Sequence, residues 1–170
     1  MTTPAPDEKS TLLMVYTHNT LIRGEVITKE GVRVSIWLRT DGAPHYFRLL
    51  NAHTLFFGSG PAKPANHAEI YVPVTSVIGY HIAPPAQEPL DYEEGEKNRA
   101  VQIVTAAVGS FLFKGKVRYS AQSGFNSSLE MIHGWMSMYE TEIINPSLPQ
   151  MPAIQVPMLL VNPGQVTFAL

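Results

Sequence analysis

Six histidines, at positions 18, 45, 53, 67, 81 and 133, are the residues of this sequence best suited to metal or acid–base chemistry, because imidazole ligates transition metals and titrates near neutrality. Their spacing gives no HxH, HxxxH or HExxH pattern. His67 and Glu69 would share one face of a strand, but two ligands without a third make no site, and loop or half-exposed histidine is the preferred reading. Asp91, Glu93, Glu94 and Glu96 bring carboxylates together. A catalytic pair needs two carboxyls held rigidly in opposed environments, whereas these lie in a proline-rich stretch and read as a solvated charge run. Ser35, Ser110 and Ser127 lie in no GxSxG elbow, and neither GxxxxGK[ST] nor GxGxxG occurs. The chain has no cysteine, which removes thiolate nucleophiles, disulfides and cysteine-based metal sites. The expectation is a protein that is not an enzyme, with no metal and no cofactor.

Two groups of residues could instead contact a partner. Arg23, Arg33, Lys114, Lys116 and Arg118 are grouped bases, and they are the candidates for nucleic-acid contact. The net charge of −2 and pI near 6.3 supply no global field for a phosphate backbone, so a polar outer face that discourages edge pairing is preferred. The apolar run MIHGWMSMY (131–139) and the uncharged segment VPMLLVNPGQVTFAL (156–170) put Met131, Trp135, Met136, Met138, Val156, Met158 and Leu160 forward as a partner interface, since methionine-rich surfaces adapt to what they touch. Core packing explains several of the same residues.

The elements that must position these groups are strands. LLMVY, TLIRGEVIT and VRVSIWL are rich in β-branched and large apolar residues and are separated by turn signals at Thr17-His18-Asn19 and Lys29-Glu30-Gly31, with Asp41-Gly42 after the third. HYFRLLNAHTLFF follows as a strand, GSGPAKPANHA (58–68) as a loop, and EIYVPVTSVIGYHI (69–82) as strand with a break at Pro73. Residues 1–11 read as a flexible tail. Residues 83–100 begin APPAQEPLDYEEGEKNR and read as an acidic, proline-rich linker. From Val101 the strand pattern resumes, with GFNSSLEMIHG (124–134) as the place for a helical turn.

The resumption repeats ordered landmarks. LIRGEV (21–26) recurs as LFKGKV (112–117), and FRLLNAHTLFF (47–57) has a counterpart in WMSMYETEII (135–144). Val72-Pro73-Val74 is matched to Val156-Pro157-Met158, and IGYHI (78–82) to VTFAL (166–170), with an Asn162-Pro163-Gly164 turn read as an insertion in the second copy. The chain therefore reads as all-β with minor helix, in two tandem units, 12–82 and 101–170.

MVYTHNTLIRGEV and, at the end of the unit, IYVPVTSVIGY resemble the Sm-like small barrel, an SH3-like fold, most closely that of the bacterial host-factor RNA chaperones, and the spacing from Thr17 to Gly24 is similar to that in bacterial proteins carrying a domain of unknown function. The resemblance implies a glycine-bearing second strand, a short closing strand and a tendency to assemble through edge strands. It also implies a Lys-His pair after the tyrosine for RNA contact, where this chain has Val72-Pro73 after Tyr71 and, in the second copy, Val156-Pro157. The function expected is an interaction or assembly protein that self-associates or docks on a protein partner. RNA binding is the alternative, and a small-ligand pocket between the barrels the third. No apolar run approaches the length of a membrane span, and a cytoplasmic location is expected.

Overall fold

The computed structural model describes residues 5–170. Ten strands form one antiparallel sheet: β1 (Glu8–Tyr16), β2 (Thr20–Lys29), β3 (Tyr46–Phe56), β4 (Lys63–Pro73), β5 (Gly79–Ile82), β6 (Arg99–Val108), β7 (Phe111–Ser120), β8 (Met136–Ile144), β9 (Ile154–Val161) and β10 (Thr167–Ala169). One helix, α1 (Gly124–Met131), joins β7 to β8. The order across the sheet is β10-β6-β7-β8-β9-β5-β1-β2-β3-β4. Each half is thus a four-strand meander whose fifth strand returns to pair with its first.

Alternation explains the strands. Leu13 and Val15 of β1 are buried while Leu12 and Met14 are partly exposed, the period of two that places successive side chains on opposite faces. The first half packs Leu13, Val15, Ile22, Phe47, Leu49 and Tyr80 into one core. The second packs Val104, Phe111, Phe113, Met138, Ile143 and Leu159 into another.

The strand registers make the repeat a structural fact. Leu13 lies opposite Gly24, and Val104 opposite Gly115. The pairing of β2 with β3 shifts between Arg23 and Glu25, and that of β7 with β8 between Lys114 and Lys116. In each bulge two residues of the third strand oppose one glycine, and the first of the two is a non-glycine residue of positive φ, Asn51 at 48° and Glu140 at 46°. Both glycines are required by the close approach a bulge imposes. A Cβ on Gly24 would lie 2.9 Å from the Leu49 Cβ, and one on Gly115 would lie 3.0 Å from the Tyr139 carbonyl oxygen.

Several expectations change. VRVSIWL is not a strand: Val34–Arg39 is a 3-10 helix, held by partners from outside its own segment that are described below. Lys63–Ala68, expected as loop, forms the first half of β4 against β3, where Pro64 is tolerated because the strand is at the edge. Glu8–Thr11, expected in the tail, pairs with β2, and residues 1–4 lie outside the described residues. Arg99 and Ala100, placed in the linker, begin β6.

Two landmarks also move. Val72 pairs with Phe47 and Val161 pairs with Met136, so the counterpart of Val72-Pro73 is Val161-Asn162 rather than Val156-Pro157, which lies within β9. The same registers set Met136, not Trp135, opposite Phe47 in the repeat. The Asn162-Pro163-Gly164 turn is no insertion, because the 3-10 turn Pro163–Gln165 has its equivalent in Val74–Ser76. The match of IGYHI to VTFAL holds position by position, Gly79 pairing with Tyr16 as Thr167 pairs with Ala107. Among the described residues the halves run on as one sheet whose outer strands, β4 and β10, each have one unpaired edge, and no pairing closes it.

Candidate assembly interface

The halves meet where β5 pairs with β9, Gly79 opposite Val161 and Tyr80 opposite Leu160. The seam is short in strand pairing but exchanges side chains: Ile78, Tyr16 and Leu21 of the first half belong to the second core, and Leu160 of the second half belongs to the first. The Tyr16 ring stands edge-on to Phe111 and Phe113, with centroids 5.0 and 4.9 Å away, and Trp135 stands edge-on to Tyr80 at 5.9 Å. These are the favoured geometries of aromatic pairs. The Asn162 amide donates to the Ile78 carbonyl at 2.9 Å, and the Gln165 side-chain amide to the Thr75 carbonyl at 3.2 Å.

At the middle of the seam the Tyr16 hydroxyl lies 3.0 Å from His81 Nε2, and His81 Nδ1 lies 2.9 Å from the Ile82 carbonyl oxygen. A carbonyl only accepts, so Nδ1 carries the proton and Nε2 accepts from Tyr16. His81 is buried and neutral: burial lowers its pKa to about 4, against the smaller opposing effect of the Ile82 carbonyl. Burial also pushes the Tyr16 hydroxyl well above its ordinary range. The pair is enclosed, and its role is to satisfy two polar groups within an apolar junction.

The segment between the halves is docked rather than solvated. The Glu88 carboxylate accepts from the Val34 and Ser35 amides at 3.0 and 2.9 Å and from the Ser35 hydroxyl at 2.7 Å. It thereby satisfies the open amides at the start of the 3-10 helix. Asp91 accepts from the hydroxyls of Ser137 at 2.6 Å and Tyr139 at 2.7 Å and pairs with Arg39, linking the first half to β8 of the second. Burial would raise both acids, but these hydrogen bonds outweigh it and hold both below the usual carboxylate range. Tyr92 lies edge-on to Tyr139 and under the Arg118 guanidinium, 3.8 Å from its ring centre. In sequence nothing separates Asp91 from Glu93 and Glu94; its partners lie in the two halves and become adjacent only on folding.

The outer edges carry the equivalents of the seam residues with their burial inverted. Leu160 is fully buried, while its register counterpart Tyr71 is 59% exposed. Ile82 is 8% exposed and its counterpart Leu170 is 77%. Glu69 on β4 and Thr167 and Ala169 on β10 are likewise exposed where Met158, Gly79 and His81 are buried.

Of the sequence-derived partner surface, Met136, Met138, Val156, Met158 and Leu160 are buried, Trp135 serves the seam, and Met131 is exposed at the end of α1. The internal joint accounts for Trp135 and Leu160. Among the bases, Arg33 donates to the Pro89 and Leu90 carbonyls, Lys116 pairs with Glu140 and Arg118 with Glu96. Lys114 lies opposite Glu142, and Arg23 is exposed opposite His53. Lys114, Lys116 and Arg118 follow one face of β7, while Arg23 and Arg33 belong to the first half. Of the other expected groups, His67 and Glu69 share β4, where Glu69 pairs with Arg48, and no cluster suited to a metal ion occurs among the described residues. A crevice of about 410 Å³ does lie between the halves, lined by residues 38–41 and 132–135. Among the described residues no helix is long and apolar enough to cross a membrane. Comparison with protein-family models, with curated proteins and with solved structures gives no match.

Proposed function

We propose that this is a non-enzymatic, cytoplasmic assembly protein, built of two Sm-like small-barrel units, which associates head to tail with further copies of itself. The observation that carries the reading is the joint between β5 and β9. It joins the fifth strand of one unit to the fourth strand of the next, and the chain leaves one fourth strand, β4, and one fifth strand, β10, with open edges. Open edges template pairing unless blocked, and here each edge is the register counterpart of a strand already used for that purpose. The common strand order and the glycine at each β2-type bulge support the small-barrel assignment.

The joint between copies is weaker than the seam. Pro73 stands where Asn162 donates to Ile78, and it has no amide hydrogen; Ala107 stands where Tyr16 packs on Phe111 and Phe113. Association is therefore concentration-dependent. The committed ion pairs of Lys116 and Arg118 weigh against RNA as the partner, and the pairing of Arg39 with Asp91 weighs against a ligand in the crevice. Sedimentation velocity across the micromolar range tests the reading: species larger than one chain growing with concentration are expected, and a single chain-mass species throughout overturns it.

A further inference from the structure

A shallow, mainly apolar cleft of about 300 Å³ runs between the Thr17–Thr20 turn and Ile70–Pro73 of β4, with Ile22 at its base. Its counterpart in the second half is not empty. There the backbone of Gly79 enters from β5, so closely that a Cβ on it would lie 3.3 Å from the Leu160 carbonyl oxygen, 3.4 Å from the Phe113 ring and 3.6 Å from Val108. Ile78 beside it is fully buried in that core. The register counterparts of Leu160, Phe113 and Val108 are Tyr71, Ile22 and Thr17, and all three line the open cleft. One half of the chain thus holds a filled socket and the other an empty one of the same construction.

The counterpart of the entering Gly79 is Thr167, so a larger residue stands on the free plug. In the free socket the residue facing it is smaller, Ile22 in place of Phe113. We propose that the cleft is the socket for Val166–Phe168 of a second copy, with Thr167 opposite Val72 and Phe168 opposite Tyr71, and that Ile22 admits the Thr167 side chain that Phe113 would exclude. The size exchange matches each plug to its own socket: glycine against phenylalanine within the chain, threonine against isoleucine between chains. Packed contacts tolerate such volume-conserving exchanges and resist overpacking. The inference rests on the self-association reading and adds the site, the register and the residues that set it.

The test fills the socket and then shortens the plug. Ile22→Phe should weaken association by at least about tenfold, as overpacking at a close contact does, and Ile22→Phe/Thr167→Gly should restore it to near the parent value by recreating the glycine–phenylalanine pair of the seam. Sedimentation velocity gives the association and circular dichroism the fold. A second arm uses the absence of cysteine: chains bearing Tyr71→Cys, mixed with chains bearing Phe168→Cys, should form a disulfide-linked dimer under mild oxidation, whereas Glu69→Cys with Phe168→Cys should not. Parent protein that stays a single chain overturns the assembly reading itself. Parent protein that associates, with Ile22→Phe unchanged or the double variant unrescued, overturns only the socket. If Ile22→Phe fails to fold, the cysteine pair decides, and cross-linking no better than its control overturns the register.

Discussion

Ile78 and Leu160 are exchanged between the two cores: Ile78 follows β4 in the first half yet packs in the second core, and Leu160 of β9 packs in the first. The halves are therefore not two independent cores joined by a string. Each is completed by a side chain from the other, and the stability of the chain is coupled through the seam.

Leu160→Ala is expected to cost about 2–5 kcal/mol, the range for truncating a fully buried leucine, and to lower the stability of both halves together. Urea unfolding followed by near-ultraviolet circular dichroism, which reports aromatics of both cores, should show one transition moved to lower denaturant. Two transitions, one unmoved, would show that the seam does not couple them.

Stability should fall with pH through the titration of His81. Its folded-state pKa of about 4 lies below the ordinary 6.5, so the unfolded chain binds the proton first, and stability present above pH 6.5 is lost as the pH falls from there to about 4. The difference corresponds to about 3 kcal/mol. Tyr16→Phe/His81→Leu removes both polar partners and should abolish this slope. The carboxylates of Glu88 and Asp91, whose pKa values are lowered, contribute a separate loss at more acid pH in both proteins.

Gly24→Ala should destabilise the chain by about 1–3 kcal/mol, because the new methyl meets the Leu49 Cβ at 2.9 Å and both strands are fixed. Gly31→Ala, with nothing within 4 Å of the new Cβ, should be close to neutral. Thermal melts of the two variants provide the comparison, and equal losses would remove the close-approach account of the bulge.

Asp91→Ala leaves the Ser137 and Tyr139 hydroxyls and Arg39 without their common acceptor. A loss of about 1–3 kcal/mol is expected, together with faster limited proteolysis between residues 86 and 97. Glu94→Ala, at an exposed position, should leave the cleavage rate unchanged.

Much of the strand content could be read from the sequence because alternation and turn residues are local signals: β1, β2, β3 and β5 lie where the runs LLMVY, TLIRGEVIT, HYFRLLNAHTLFF and IGYHI place them. The glycine landmark survived because a bulge demands it in both halves. What failed depended on partners distant in sequence. VRVSIWL has strand composition, but Glu88 from the segment between the halves holds Val34–Arg39 as a 3-10 helix. Val156-Pro157-Met158 looked like Val72-Pro73-Val74 because dipeptides recur by chance, and only the β8–β9 pairing fixes the register. The methionines of β8 read equally as surface or core, and burial of Met136 and Met138 against β9 was a matter of topology. The socket could not be seen, since its evidence is the difference between Phe113 and Ile22 at positions that only strand pairing makes equivalent.

The covalent tie across the seam has an arithmetical result. Two units held on one polypeptide meet at a fixed effective concentration, whatever the dilution, while contacts between chains obey mass action. Dilution would therefore dismantle any larger particle into whole chains and never into single units. With the two five-stranded units described for residues 5–170 in each copy, a particle built in the proposed way would hold its units in pairs, and in a closed one the interchain joints would equal the copies in number.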